Sequence, residues 1–256
     1  MTATSAFFDR RKLAISHISS RILRGELGPG IHLDSTMLAK EIGVSITPVR
    51  EAMSALEIIG VVEHMPRLGM LVRRMSAEDV ADLFELRELH EGFAAARVAE
   101  RIEGGTLDKL RRHCQAMRDC LRSWRRDIDS AHIGGITGLL PADLGFHHTI
   151  ICASGNRQLV KIFDNCQILT RICQLGAAND LRGRPFYEAQ FGNWIEHMRI
   201  YHAIRRRDTV RARRLMETHI ADAKKRFLAR YVEPNLSVIA WPKADQAQVA
   251  NMETLD

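Results

Sequence analysis

The sequence predicts a mainly α protein: an N-terminal winged helix-turn-helix with a small β-hairpin wing, followed by an all-α helical bundle. Three observations carry this. Apolar residues recur at helical spacing over most of the 256 residues, β-branched alternation is almost absent, and the strand-like stretch follows three helical segments near the N-terminus.

Composition bounds the function classes. The hydrophobic fraction is 46% and the charged fraction 27%, which excludes a disordered chain. No run of about 18 uncharged apolar residues occurs, which excludes a membrane-spanning helix. The first residues place their charges after a short apolar patch, the reverse of a secretory signal. The cysteines Cys114, Cys120, Cys152, Cys166 and Cys173 form no CxxC pair. Both features point to a cytoplasmic protein with reduced, mostly buried thiols. The formal net charge of +6 and the sequence pI near 9.3 favour an anionic partner only slightly.

Each element follows in order. Leu13, Ile15, Ile18, Ile22 and Leu23 predict an amphipathic helix over 9–27, broken by Gly28, Pro29 and Gly30. Asp34 or Ser35 is placed to cap a short helix over 36–42, stopped by Gly43. A third helix starts over 45–48, with Pro48 where its missing N–H costs little. It carries Val49, Met53, Leu56 and Ile59 on one face and ends at Gly60. Strands over 61–63 and 70–72 flank the turn-rich 64–69 and form a hairpin.

From Ser76 the pattern is helical. A capping-box start leads into Val80, Leu83, Phe84, Leu86, Leu89, Phe93 and Val98, with the break expected at Gly104-Gly105. The next helix spans 106–127, and the glycine-bearing 128–140 reads as an irregular loop. Pro141 starts a helix to Ala153, closed by Ser154, Gly155 and Asn156. Helices follow over 157–176, 188–207 and 209–231, with a break at 182–185. The expected organisation is a head over 1–75, a bundle over 76–232 and a weakly structured tail over 233–256.

The stretch LAKEIGVSITPVREAMSALEIIGVV at 38–62 resembles the helix-turn-helix of GntR-family bacterial transcription regulators, whose typical pattern is LAxxLGVSRTPVREALxxLexeGLV. RLGMLV at 67–72 is similar to the wing that follows it, so the resemblance covers about residues 10–74. It implies a DNA-binding head, and the residue chemistry agrees. A recognition helix presents its N-terminal residues to the major groove. Ser45 and Thr47 can donate to phosphates or bases, and the helix N-terminus attracts a phosphate. Arg50, one turn in, can hold a phosphate or a guanine edge in bidentate fashion. Arg67 at the wing tip can enter the minor groove or clamp the backbone, with Gly69 in the same wing element. The competing reading of Arg50 is an ion pair with Glu51 or Glu57. The chain has Ile46 where the family commonly has Arg and Thr36 where a basic residue is frequent, and fewer phosphate contacts flatten the salt dependence.

In the bundle, Asp143 and His147 stand at i and i+4 on one helix face, a spacing that suits two ligands of one divalent metal. His197 and His219 lie on later helices. One carboxylate and three imidazoles suit zinc foremost, or nickel, manganese or iron. By spacing alone His148, His202, His113 and His132 compete with them. The region 78–231 resembles the FCD effector domain of the FadR subfamily of GntR regulators. The matching pieces are LFELREL at 83–89, DLGFHHTIICASGN at 143–156, EHMRIYHAIRRRD at 196–208 and METHI at 216–220. The resemblance implies that Asp143, His147, His197 and His219 hold a metal. It also implies that Arg87 reaches a carboxylate of the effector, a task suited to a guanidinium fork. The alternative for Arg87 is an i,i+4 ion pair with Glu91.

The resulting expectation is a homodimeric regulator, a repressor as is usual in that family, and not an enzyme. It would bind a palindromic operator in double-stranded DNA and respond to a small organic acid. Two other readings stand beside it: a metal-dependent hydrolase using Asp143, His147, His197 and His219, and a metal-free regulator with structural histidines.

Overall fold

The computed structural model describes residues 3–128, 138–176 and 183–229, with side chains from residue 9 onward. Among the described residues the order is α1 (Ala3–Leu23), α2 (Ser35–Ile42), α3 (Ile46–Ile58), β1 (Val62–Met65), β2 (Gly69–Val72), α4 (Ala77–Glu100), α5 (Gly104–Arg126), α6 (Leu139–Ala153), α7 (Arg157–Gly176), α8 (Gly183–Arg205) and α9 (Thr209–Leu228). A three-helix head with a hairpin wing precedes an all-helical unit. By packing, the first unit gathers the described residues up to Ser76 and those of α7 from Ile168 onward. The second gathers Ala77–Gln167 and the described residues from Gly183.

In the head, α1 buries Ala14, Ile18 and Ile22, one residue per turn, against Val49, Ala52, Met53 and Leu56 of α3. Leu13 is exposed, so the inward stripe is narrower than the apolar periodicity implied. α1 also ends at Leu23 rather than at 27. The Gly25 N–H bonds back to the Ile22 carbonyl at 2.9 Å, and Gly25 takes φ 80°, which turns the chain before Leu27. α2 is capped as its sequence indicates. The Asp34 carboxylate accepts from the Thr36 and Met37 N–H groups at 2.7 and 3.1 Å, and Gly43 closes the helix at φ 75°. In the wing, β1 and β2 pair antiparallel with Val62 opposite Val72 and Met65 opposite Gly69. Residues 30–33 add to the other edge of β2: Leu33 N–H donates to Met70, and Val72 N–H donates to Ile31. That third line of pairing was hidden by the Gly-Pro-Gly break before it.

In the second unit α4 packs along α9, while α5 packs on α6 and α8. Gly92 makes the α4–α9 approach possible, since a Cβ there would lie 2.6 Å from Glu217 Cγ. α4 buries Val80, Leu83, Phe84, Ala94, Ala95, Val98 and Ala99. It leaves Leu86, Leu89 and Phe93, apolar residues of the same helix, at 44%, 65% and 42% exposure. The inward side is occupied instead by His90 and by the fully buried Glu91.

Three boundaries also move. The α4–α5 break falls at residues 101–103, and Gly104 and Gly105 open α5 rather than separate the helices. α8 starts at Gly183, so Pro185 sits inside its first turn, where no intrahelical partner for its nitrogen is required. α6 starts at Leu139, ahead of Pro141, and 129–137 of the expected loop lie outside the described residues, as does the tail from 230.

Candidate metal centre and nucleic-acid interface

Three helices deliver one imidazole each to a single point. His147 stands on α6, His197 on α8 and His219 on α9, and all three are buried. His147 Nε2 lies 3.1 Å from His197 Nε2 and 3.3 Å from His219 Nε2. In each ring the other nitrogen is taken. His147 Nδ1 meets Glu91 Oε2 at 2.5 Å, His197 Nδ1 meets the Asn193 carbonyl oxygen at 2.8 Å, and His219 Nδ1 meets Glu196 Oε2 at 2.7 Å. A carboxylate or carbonyl only accepts, so in a neutral ring Nδ1 carries the proton and Nε2 presents its lone pair.

Three lone pairs therefore face each other with no donor between them, which is unfavourable unless a cation lies among them. Two nitrogens bound to one zinc at about 2.0–2.1 Å stand about 2.9–3.4 Å apart for angles between square and tetrahedral. The observed separations fall in that interval, so the donor set fits a divalent metal. Asp143 reaches the edge of the cluster. Its Oδ1 is 3.3 Å from His197 Nε2 and accepts from Asn193 Nδ2 at 3.2 Å.

The electrostatics favour the neutral form of His197 and His219 and the charged form of the nearby carboxylates. Burial, with the nearby His219 next, pushes His197 down to about 3, and burial also lowers His219. Burial alone would raise the Asp143 carboxyl, but His197, His147, His219 and Arg87 outweigh it and lower its pKa. Glu91 is likewise lowered against its own burial by Arg87 and His147. Glu196 is lowered to about 2 against its burial by its bonds to His219 and to Arg226, whose two terminal nitrogens donate at 3.1 and 3.2 Å. Such partners fix the tautomer and orientation of a ligating histidine.

Arg87 lies close by, and its Nε donates to Glu91 Oε1 at 2.8 Å, the i,i+4 ion pair that competed with an effector role. Its side chain is 13% exposed, rests over the Phe84 ring at 5.2 Å, and its two terminal nitrogens make no hydrogen bond among the described residues. His148 points elsewhere, to Asp164 at 3.9 Å and to Cys152, while His113 bonds Thr149, so neither joins the cluster. Sequence reasoning passed over Glu91, Asn193 and Glu196 as ring-holding groups. Glu91 was visible only as a partner of Arg87, and Glu196 only as the residue beside His197.

At the head, Ser45 is the N-cap of α3 and makes no side-chain cap bond, leaving its hydroxyl available. Ser45, Ile46, Thr47 and Arg50 are all exposed at this N-terminal turn, while Pro48 and Val49 turn inward. Arg50 makes no ion pair with Glu51 or Glu57. Arg67 occupies the hairpin tip with φ 67°, exposed, two residues before Gly69. Gly69 takes φ 79°, and a Cβ there would stand 3.1 Å from His32 Nε2. The α3 start and the wing tip thus present hydroxyls and guanidinium groups to solvent.

Comparison with known proteins finds one family model over the head and another over the helical region that follows it. The model of the gntR family of bacterial regulatory proteins matches residues 12–72, and that of the FCD domain matches 82–222. The chain is 29% identical over 234 residues to the HTH-type transcriptional regulator LutR of Bacillus subtilis, covering 84% of this chain and 99% of that one. It is 26% identical over 184 residues to a probable D-xylose utilization operon transcriptional repressor of Paenarthrobacter nicotinovorans, covering 71% of this chain and 76% of that one. Among solved structures, E. coli McbR/YncC superposes with a TM-score of 0.72 at 16% identity, over 91% of this chain and all of that one, which bears on the fold alone. These relatives are regulators rather than enzymes, so the hydrolase alternative falls. The chain belongs to the gntR family of bacterial regulatory proteins, as a DNA-binding transcriptional regulator with an FCD domain behind its helix-turn-helix head.

Proposed function

We propose that this regulator is a repressor whose hold on DNA is set by a small carboxylate bound beside a metal in the FCD domain. The observation that carries the metal is the convergence of three Nε2 lone pairs whose rings are fixed by Glu91, Asn193 and Glu196. His147, His197 and His219 would hold it, with Asp143 as a fourth ligand. Zinc is the first candidate, with nickel, manganese or iron next. When bound, the metal would supply a positive centre that attracts the oxygens of an anionic effector.

The chain's own residues supply the coupling. The terminal nitrogens of Arg87 take the effector carboxylate, while its Nε keeps Glu91. Glu91 in turn holds His147, so effector and metal site meet through one carboxylate. Binding changes DNA affinity to the extent that the effector favours one arrangement of the two heads of a homodimer. At the operator, Ser45, Thr47 and Arg50 contact the major groove, and Arg67 with Gly69 sets the wing on the neighbouring backbone or minor groove. The repressor reading is supported by the name of the Paenarthrobacter relative.

The test is a mobility-shift assay on the intergenic DNA upstream of the protein's own gene at moderate salt, repeated with mono-, di- and tricarboxylates and with elemental analysis of untagged protein. A sequence-specific complex that one acid class releases, and about one equivalent of transition metal per chain, are expected. Less than about a tenth of an equivalent after metal-supplemented refolding would return the histidines to a structural role.

A further inference from the structure

Arg111, Gln115 and Arg118 stand at i, i+4 and i+7 of α5. Trp194, Met198, Tyr201 and Arg205 repeat that spacing on α8. Each set therefore forms one continuous face of its helix. α5 packs on α8 within the second unit, and the two faces line one cleft of about 230 Å³. The Trp194 Nε1–H donates to the Cys114 carbonyl oxygen at 3.0 Å, which ties the α8 wall to the α5 wall. Tyr201 is buried, and Trp194 and Met198 are half-buried. None of these side chains belongs to the histidine cluster.

The lining holds three arginines and no carboxylate. Like charges around one cleft repel unless an anion lies among them. Their partners within the chain leave that anion's place open. Arg111 donates to the exposed Asp108 at 3.3 Å. Arg118 Nε lies 3.6 Å from Asp119 Oδ1 and is buried with no hydrogen-bond partner. Arg205 rests over the Tyr201 ring at 6.0 Å and makes no ion pair among the described residues. A buried N–H calls for an acceptor, and guanidinium groups take carboxylates and phosphates in a fork. Indole, phenol, thioether and guanidinium faces suit a flat ring beside that anion. A cavity of about 150 Å³ holds benzene, so this cleft admits one substituted ring. We propose that the α5–α8 cleft is a second ligand site, which takes a single aromatic ring bearing a carboxylate or phosphate group. It is separate from the effector place beside Arg87, and it needs no metal.

Isothermal titration calorimetry of the full chain tests it, with benzoate and phenyl phosphate as probes and circular dichroism to verify the fold of each variant. At least one probe should bind with a Kd below about 1 mM, and the tighter one identifies the anionic group. Inorganic phosphate lacks the ring and benzyl alcohol lacks the charge, so each should bind at least about 10-fold more weakly. Arg118→Met should weaken the aromatic anion by roughly 10-fold or more, since it removes a charge-assisted hydrogen bond. Gln115→Trp changes an exposed position at the cleft, so it should fill the space and abolish binding without disturbing the core. Photolysis of bound 4-azidobenzoate should label peptides of α5 or α8, a readout independent of the variants. No binding of either probe at about 10 mM would overturn the assignment. So would inorganic phosphate as tight as the aromatic anions, wild-type affinity in either variant, or label confined to α4, α6 or α9. Failure here is distinct from failure of the metal reading, because Arg118→Met and Gln115→Trp should keep the metal content of wild type.

Discussion

Glu91 Oε2 and His147 Nδ1 meet at 2.5 Å, although 56 residues separate them in the chain. A carboxylate on α4 thereby decides which nitrogen of an α6 imidazole faces His197 and His219. The same carboxylate holds Arg87 through its other oxygen. One buried group thus orients a candidate metal ligand and anchors the candidate effector cation.

Glu91→Gln should therefore act twice. Metal affinity should fall by about 10–100-fold, read by competition with a chromophoric chelator, because the ring loses its ionic anchor. Unfolding free energy should fall by about 3 kcal/mol in denaturant titration, because Arg87 keeps its charge and loses its partner. A variant with wild-type metal affinity would remove Glu91 from the site.

Metal removal should lower the melting temperature and reloading should restore it. At free metal near a hundred times Kd the stabilisation is about 2.7 kcal/mol. His197→Ala should abolish this increment, because His197 is wholly buried between its two neighbours. An equal increment in His197→Ala would place the metal elsewhere.

At the head, Arg50→Ala should weaken specific DNA binding by roughly 1–3 kcal/mol, and if Arg50 holds a phosphate the salt slope should drop by about one. Arg67→Ala should weaken binding more evenly across sequences. Fluorescence anisotropy over a salt series separates the two. Unchanged affinity in both variants would move the interface away from α3 and the wing.

Gly69→Ala should destabilise the head by about 1–2 kcal/mol, since an alanine resists a positive φ. Its Cβ would also press on His32, 3.1 Å away. Thermal unfolding reads the loss, and a melting temperature equal to wild type would mean that the wing relaxes freely.

The cysteines should react in order of exposure. Burial pushes Cys114 up to about 12 and Cys166 up to about 11, so at pH 8 little thiolate forms at either. Cys152 is exposed, and its own upward shift, from burial and then from Asp164, slows it without covering it. Alkylation followed by mass spectrometry should label Cys152 well before Cys114 and Cys166, which should react only after denaturation. Equal rates in the native protein would contradict the packing of α5 and α7.

The mainly α character, the hairpin after the third helix and the caps of α2 were legible in the sequence, because each depends on neighbours within a turn or two. Asp34 and Gly43 act on their own helix, and TPVREA opens α3 wherever that helix is placed. The histidines could be singled out only with the help of a family resemblance, since Asp143, His147, His197 and His219 lie on three helices whose approach no local pattern encodes. Tertiary packing alone turned three Nε2 atoms to one point and chose Glu91, Asn193 and Glu196 to hold them. It also rotated α4 so that Glu91 went inward while Leu86, Leu89 and Phe93 stayed outside. Hydrophobicity by itself predicts the opposite. A buried carboxylate is tolerated where a guanidinium and an imidazole meet it, and those partners exist only once α4 and α6 have come together.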